Sequence, residues 1–85
     1  MYTFNEYYIP ERMIEPIKLY IEKGFHPGHF LSGIITNDLA AAVAAADSEN
    51  MKNIPAFVSF FWNEAPSMCW GSNEIMSDWM RSKAE

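Results

Sequence analysis

Tyr7-Tyr8-Ile9-Pro10-Glu11-Arg12-Met13-Ile14-Glu15-Pro16-Ile17-Lys18-Leu19-Tyr20-Ile21-Glu22-Lys23-Gly24 reads as a helix with both ends marked. Pro10 suits the first helical position, where a missing N–H removes no hydrogen bond. Met13, Ile17 and Tyr20 recur on one stripe at helical spacing, with Ile14 and Ile21 beside it. Glu11 in the first turn and Lys23 in the last match the helix macrodipole. Gly24 is the natural residue to end such a helix in the left-handed conformation. Pro16 is discordant and predicts a kink, or a split near Glu15.

The same spacing continues downstream. Pro27 opens a second helical segment with Phe30, Leu31, Ile34 and Ile35 on its apolar face. That segment either runs on through Leu39 to Ala46 or restarts at a cap on Asn37 or Asp38. The alanine run favours continuous helix and close approach of a neighbour. Asp47 and Ser48 are cap candidates for a further helix, whose expected buried stripe is Met51, Ile54, Phe57, Val58 and Phe61, with a kink at Pro55. Ala65-Pro66-Ser67 breaks the pattern and Gly71-Ser72 marks another cap. A last helix turns Ile75, Met76, Trp79 and Met80 inward, and the tail from Arg81 to Glu85 is expected to fray. No stretch alternates apolar and polar residues for long enough to predict a strand. The expected architecture is therefore all-α: one compact helical domain over residues 1–85, built from three to five helices.

Composition constrains what surrounds that domain. A chain of 85 residues buries only roughly 60–65% of its unfolded surface. Yet 49% of its residues are apolar and 15% are aromatic. Small domains without staples need help, and here Cys69 stands alone, so no internal disulfide forms. Copies of the same chain are the expected cover, which makes the protein a homo-oligomer. The unpaired cysteine fits a reducing compartment. The first residues carry neither the basic nor the apolar region of a secretory signal, and no apolar run is long enough to span a bilayer. A soluble, cytosolic protein with no membrane contact is expected. A net charge of −5 argues against broad contact with DNA or RNA, which needs many basic groups. A small anionic ligand needs only one or two cations in a local pocket.

Catalytic chemistry has little to stand on. His26 and His29, three apart, lack the third and fourth ligands of a zinc site; Glu64 and Cys69 are the only additions, and no CxxC or HExxH spacing supports them. Cys69 between Met68 and Trp70 reads as a buried thiol acting as a small apolar group. Glu11, Glu15 and Glu22 read as a solvated helix face. No catalytic residue, metal or cofactor is expected, and the protein is expected not to be an enzyme.

What remains is a binding kit. Tyr7 and Tyr8 precede the first helix and Lys23 closes it. An aromatic ring stacks on any nucleobase and an ammonium pairs with a phosphate. A helix of this length is roughly 20 Å long, so Tyr8 and Lys23 of one chain do not clamp one ligand unless the Pro16 break folds the segment back or a second chain supplies one end. The plain alternative is that Tyr7 and Tyr8 pack as a hydrophobic staple and Lys23 caps a helix.

Ile9-Pro10-Glu11-Arg12-Met13, Tyr20-Ile21, Gly24 and Pro27-Gly28-His29-Phe30-Leu31 open a series of short motifs. Asn37-Asp38-Leu39, Ala46-Asp47-Ser48-Glu49-Asn50, Asn63-Glu64-Ala65-Pro66 and Cys69-Trp70-Gly71-Ser72 complete it. Taken in order, over nearly the whole chain, they resemble a family of small tailed-phage proteins, the anti-CBASS type 2 sponges that capture cyclic oligonucleotide signals. The resemblance implies a helical homohexamer in the host bacterial cytoplasm. It would bind the cyclic dinucleotides of bacterial defence cyclases, such as 3′,3′-cGAMP, without cleaving them. It also implies ligand pockets between protomers, with Tyr8 stacking on a base and Lys23 pairing with a phosphate. Some members bind cyclic trinucleotides at a separate site, using a small polar residue just past Gly24 and an arginine before Ala-Pro. Phe25 and Glu64 occupy those positions here and argue against trinucleotide binding. The competing expectation is an interaction protein that blocks a host or phage protein through exposed aromatics, with no nucleotide involved.

Overall fold

Pro10, in extended conformation, leads into a single 3₁₀ turn at Glu11–Met13, and the α-helix proper, α1, covers Ile14–Lys23. This resolves the discord at Pro16. The helix changes type before the proline, which leaves Pro16 in the first turn of α1, where backbone N–H groups have no intrahelical acceptor to lose. Pro10 therefore precedes the helical run and is not its first member. Gly24 ends α1 with φ of 70°, and its N–H reaches back to the Tyr20 carbonyl at 2.9 Å.

A computed structural model describes residues 2–84. The described chain is 69% helical, with six helices and 5% strand. Beyond α1 these are α2 (His29–Ile35), α3 (Leu39–Ala45), α4 (Ser48–Lys52), α5 (Ile54–Asn63) and α6 (Asn73–Ala84). Six replaces the expected three to five because polar punctuation cuts the long segments. Asn37, at φ of 62°, separates α2 from α3, and the Asp38 carboxylate accepts the Ala41 N–H at 3.1 Å to start the new helix. Asp47 caps α4 through the Asn50 N–H at 2.8 Å. Asn53 divides α4 from α5, so Pro55 falls in the first turn of α5 and kinks nothing.

That last division also shifts the buried stripe. Ala56, Phe57 and Phe61 are fully buried, whereas Met51 and Val58, expected inside, are each 40% exposed. Restarting the helix at Ile54 sets a new phase, and a residue next to Phe57 lies about 100° round the axis. The apolar face of α2 is as the spacing predicts: Phe30, Leu31, Ile34 and Ile35 are all buried. On α1, Ile17 and Tyr20 are buried, with Met13, Ile14 and Ile21 packed against the core. On α6, Met76 is buried and Trp79 and Met80 pack against the core.

The alanine run does bring a neighbour close. A methyl group on Gly33 of α2 would lie 2.5 Å from the Ala42 backbone nitrogen and 2.7 Å from its Cα, so α2 and α3 touch through backbone. α6 extends through Arg81–Ala84 of the tail, and Lys83 Nζ lies 4.7 Å from the Trp79 ring centroid. Glu85, the last residue of the expected tail, lies outside the described residues.

No strand is expected from the spacing, yet residues Thr3 to Tyr8 form a short antiparallel hairpin. β1 (Thr3–Phe4) pairs with β2 (Tyr7–Tyr8) in the register Thr3 to Tyr8 and Phe4 to Tyr7. Asn5 makes the turn at φ of 56°. Two residues per strand are too few to reveal a period of two. The hairpin packs on α5, where the Tyr2 and Ser59 hydroxyls lie 2.6 Å apart. Among the described residues no helix is long and apolar enough to cross a membrane.

Candidate functional site

Tyr8 is the most heavily anchored of the candidate side chains. As the last residue of β2 it donates its backbone N–H to Asn53 Oδ1 at 2.9 Å, and its phenol O–H to Glu49 Oε2 at 2.7 Å. Asn53 in turn donates its amide to the Glu49 carbonyl at 3.0 Å. α4, through Glu49, and the α4–α5 junction, through Asn53, thus grip the tyrosine at both ends, while its ring has no aromatic neighbour among the described residues.

The Glu49 carboxylate serves two groups. Its Oε1 accepts from Arg12 Nη2 at 3.2 Å, and the same nitrogen reaches Asp47 Oδ2 at 2.8 Å. The phenol donates to Glu49 and holds that carboxyl below the usual range, with Arg12 acting in the same direction. The same hydrogen bond keeps the Tyr8 phenol above its ordinary value. The Asn50 backbone N–H, then Arg12, lowers Asp47. Partial desolvation alone would lower Arg12, but Glu49 and Asp47 together raise it. The guanidinium is already matched by two carboxylates, which leaves it ill-suited to pair with a further anion.

Lys23 stands apart. Tyr8 precedes and Lys23 closes the helical run from Glu11 to Lys23, so about 20 Å of helix separates them. Lys23 is exposed and makes no ion pair among the described residues. A second lysine approaches this end of α1: a methyl on Gly24 would meet Lys83 Cβ at 2.6 Å. Tyr7, the third candidate, packs against the hydrophobic core. Adjacent strand residues face opposite ways, so Tyr7 and Tyr8 do not form one two-ring platform.

Sequence reasoning singled out Tyr8 but missed its neighbours. Arg12, Glu49 and Asn53 come to it from up to 45 positions away, and no local spacing announces that convergence. Asp47 was legible, as a cap.

A groove of ≈ 740 Å³ lies elsewhere, between α2, α3 and α6. Its lining includes His26, His29, Ser32, Asn73 and Met76 but none of Tyr7, Tyr8 or Lys23. His26 is tied into the turn, its Nδ1 accepting the Gly28 N–H at 3.1 Å. His29 opens α2, with the two rings 6.2 Å apart. Among the described residues no three of His, Cys, Asp or Glu converge as metal ligands. Cys69 is fully buried, and burial pushes its thiol up to about 11, which keeps it protonated and unreactive at neutral pH.

Comparison with protein-family models, with curated proteins and with solved structures finds no significant match to this chain.

Proposed function

We propose that this protein is a stoichiometric sponge for cyclic dinucleotides such as 3′,3′-cGAMP, acting in the cytoplasm of a phage-infected bacterium. It binds the signal made by a defence cyclase and leaves every bond intact, so the CBASS effector that the signal would switch on stays idle. The observation that carries the reading is the pairing of unlike ends on one helix. A pinned tyrosine ring precedes it and an exposed ammonium closes it, the one unstacked and the other without an ion pair among the described residues. Their separation supports a pocket made by two copies, Tyr8 from one and Lys23 from another. The family resemblance supports the same division and a hexameric assembly. Nanomolar capture requires about −12 kcal/mol, to which two stacked bases and two paired phosphates contribute in a dry, preformed pocket.

Calorimetric titration with 3′,3′-cGAMP tests this, together with a thermal-shift screen of other cyclic di- and trinucleotides. Saturable binding and recovery of intact ligand after denaturation support a sponge. Absence of both heat and melting-temperature shift with every cyclic dinucleotide sinks it.

A second reading has its own support. Trp62 is 75% and Met68 73% exposed, and large exposed side chains of this kind anchor protein interfaces. On that reading the chain blocks a host or phage protein. Copurification of such a protein, without nucleotide-induced stabilisation, would favour it.

A further inference from the structure

We infer that Glu49 is the positioning residue of the ligand site: it makes no contact with ligand itself but fixes the Tyr8 ring in the pose on which a base stacks. The inference rests on the cyclic-dinucleotide reading above and goes beyond it, because neither composition nor spacing pointed to Glu49.

The argument is geometric. A tyrosine at the end of a two-residue strand would ordinarily sample several rotamers, and each immobilised side chain costs affinity when binding has to order it. Here the ordering is already done. The backbone N–H of Tyr8 is held by Asn53 at 2.9 Å and the far end of its ring by Glu49 at 2.7 Å. With both ends tied, the ring retains little freedom about either side-chain torsion. Glu49 is itself held, by Arg12 at 3.2 Å from its other oxygen and through its own carbonyl by Asn53. The carboxylate also has an electrostatic effect: it makes the phenol end of the ring unfavourable for a phosphate. The ligand's base lies over the ring, and its phosphates are directed away, towards the exposed Lys23 of a neighbouring copy.

A double-mutant cycle on 3′,3′-cGAMP affinity separates positioning from general stability. Tyr8→Phe keeps the ring and removes the hydroxyl; Glu49→Leu removes the acceptor. Each is expected to weaken binding about 3- to 10-fold, and the double variant is expected to be no weaker than either single one. Glu49→Gln, which retains an acceptor oxygen, restores most of the affinity. Melting temperature behaves differently: Glu49→Leu lowers it in either background, because the Arg12 pair is lost whether or not the phenol is present. Equal loss of affinity from Glu49→Leu in the wild-type and Tyr8→Phe backgrounds would overturn the inference, as would wild-type affinity in Glu49→Leu. If the wild-type protein binds and Lys23→Ala weakens it while Glu49→Leu does not, the positioning role alone falls. If the wild-type protein binds no cyclic dinucleotide, the sponge reading falls and takes this role with it.

Discussion

Tyr20 donates its phenolic hydroxyl to the backbone carbonyl of Cys69 at 2.6 Å, and both residues are fully buried. The bond ties α1 to the 3₁₀ turn at Ser67–Cys69, far along the chain. Tyr20→Phe keeps the ring but strands a buried acceptor. It is expected to cost about 1–3 kcal/mol, read as a lower urea midpoint with an unchanged slope. An unchanged midpoint would mean that water reaches the carbonyl.

The same pair sets an alkaline limit. Burial raises both the Tyr20 phenol and the Cys69 thiol, the latter to about 11. A group raised by folding contributes stability that is fully present below its ordinary value, about 8.5 for a thiol, and is lost as pH rises through the folded value. Melting temperature should therefore decline between about pH 8.5 and 11, and Cys69→Ala should remove part of that decline.

On the acid side the sign reverses. Asp47 and Glu49 are held below their ordinary values. Their contribution is present above about pH 4 and is lost as pH falls through the lowered folded values. Both carboxylates are substantially exposed, so the effect is small and fades with added salt. Arg12→Met should flatten the acid limb of a melting-temperature profile at low ionic strength; an identical limb would remove Arg12 from the account.

Gly33→Ala tests the backbone contact between α2 and α3. The added methyl meets the Ala42 nitrogen at 2.5 Å, and no flexible side chain is there to give way. Overpacking of this kind costs about 1–3 kcal/mol. Asp38→Ala, which only uncaps α3, should cost about 1 kcal/mol. Chemical denaturation of the two variants side by side gives the ranking, and a neutral Gly33→Ala would show that the two helices can part.

For ligand capture, Tyr8→Ala removes a stacking platform worth about 1–3 kcal/mol, an expected loss of about 5- to 100-fold in 3′,3′-cGAMP affinity. Lys23→Ala should weaken binding by about tenfold or more and reduce its salt dependence. Because Lys23 is exposed and makes no ion pair among the described residues, its loss should leave the ligand-free melting temperature within about 1 °C. Calorimetry over a salt series checks the pair.

Helical character was readable because single residues carry it. Gly24, Asp38 and Asp47 end or start helices through contacts within three or four positions. The number of helices was less readable, since the break at Asn37–Asp38 was only one of two alternatives and Asn53 breaks the chain without the signature of proline. The hairpin at Thr3–Tyr8 was too short to show a period. At the candidate site, Tyr8 and Lys23 were legible as residue types at the two ends of a patterned helix. The grip of Glu49 and Asn53 on Tyr8 was not, because it depends on α4 and α5 returning to the hairpin, a tertiary fact with no local trace.

Trp79 donates its indole N–H to the Tyr20 carbonyl at 3.2 Å, with the Lys83 ammonium over its ring, whereas Trp62 is largely in water. The molecule therefore carries its own optical gauge of whether its final helix is seated. With Trp62 and Trp70 replaced by phenylalanine, the remaining emission would follow that one joint and turn redder whenever α6 lifts from α1.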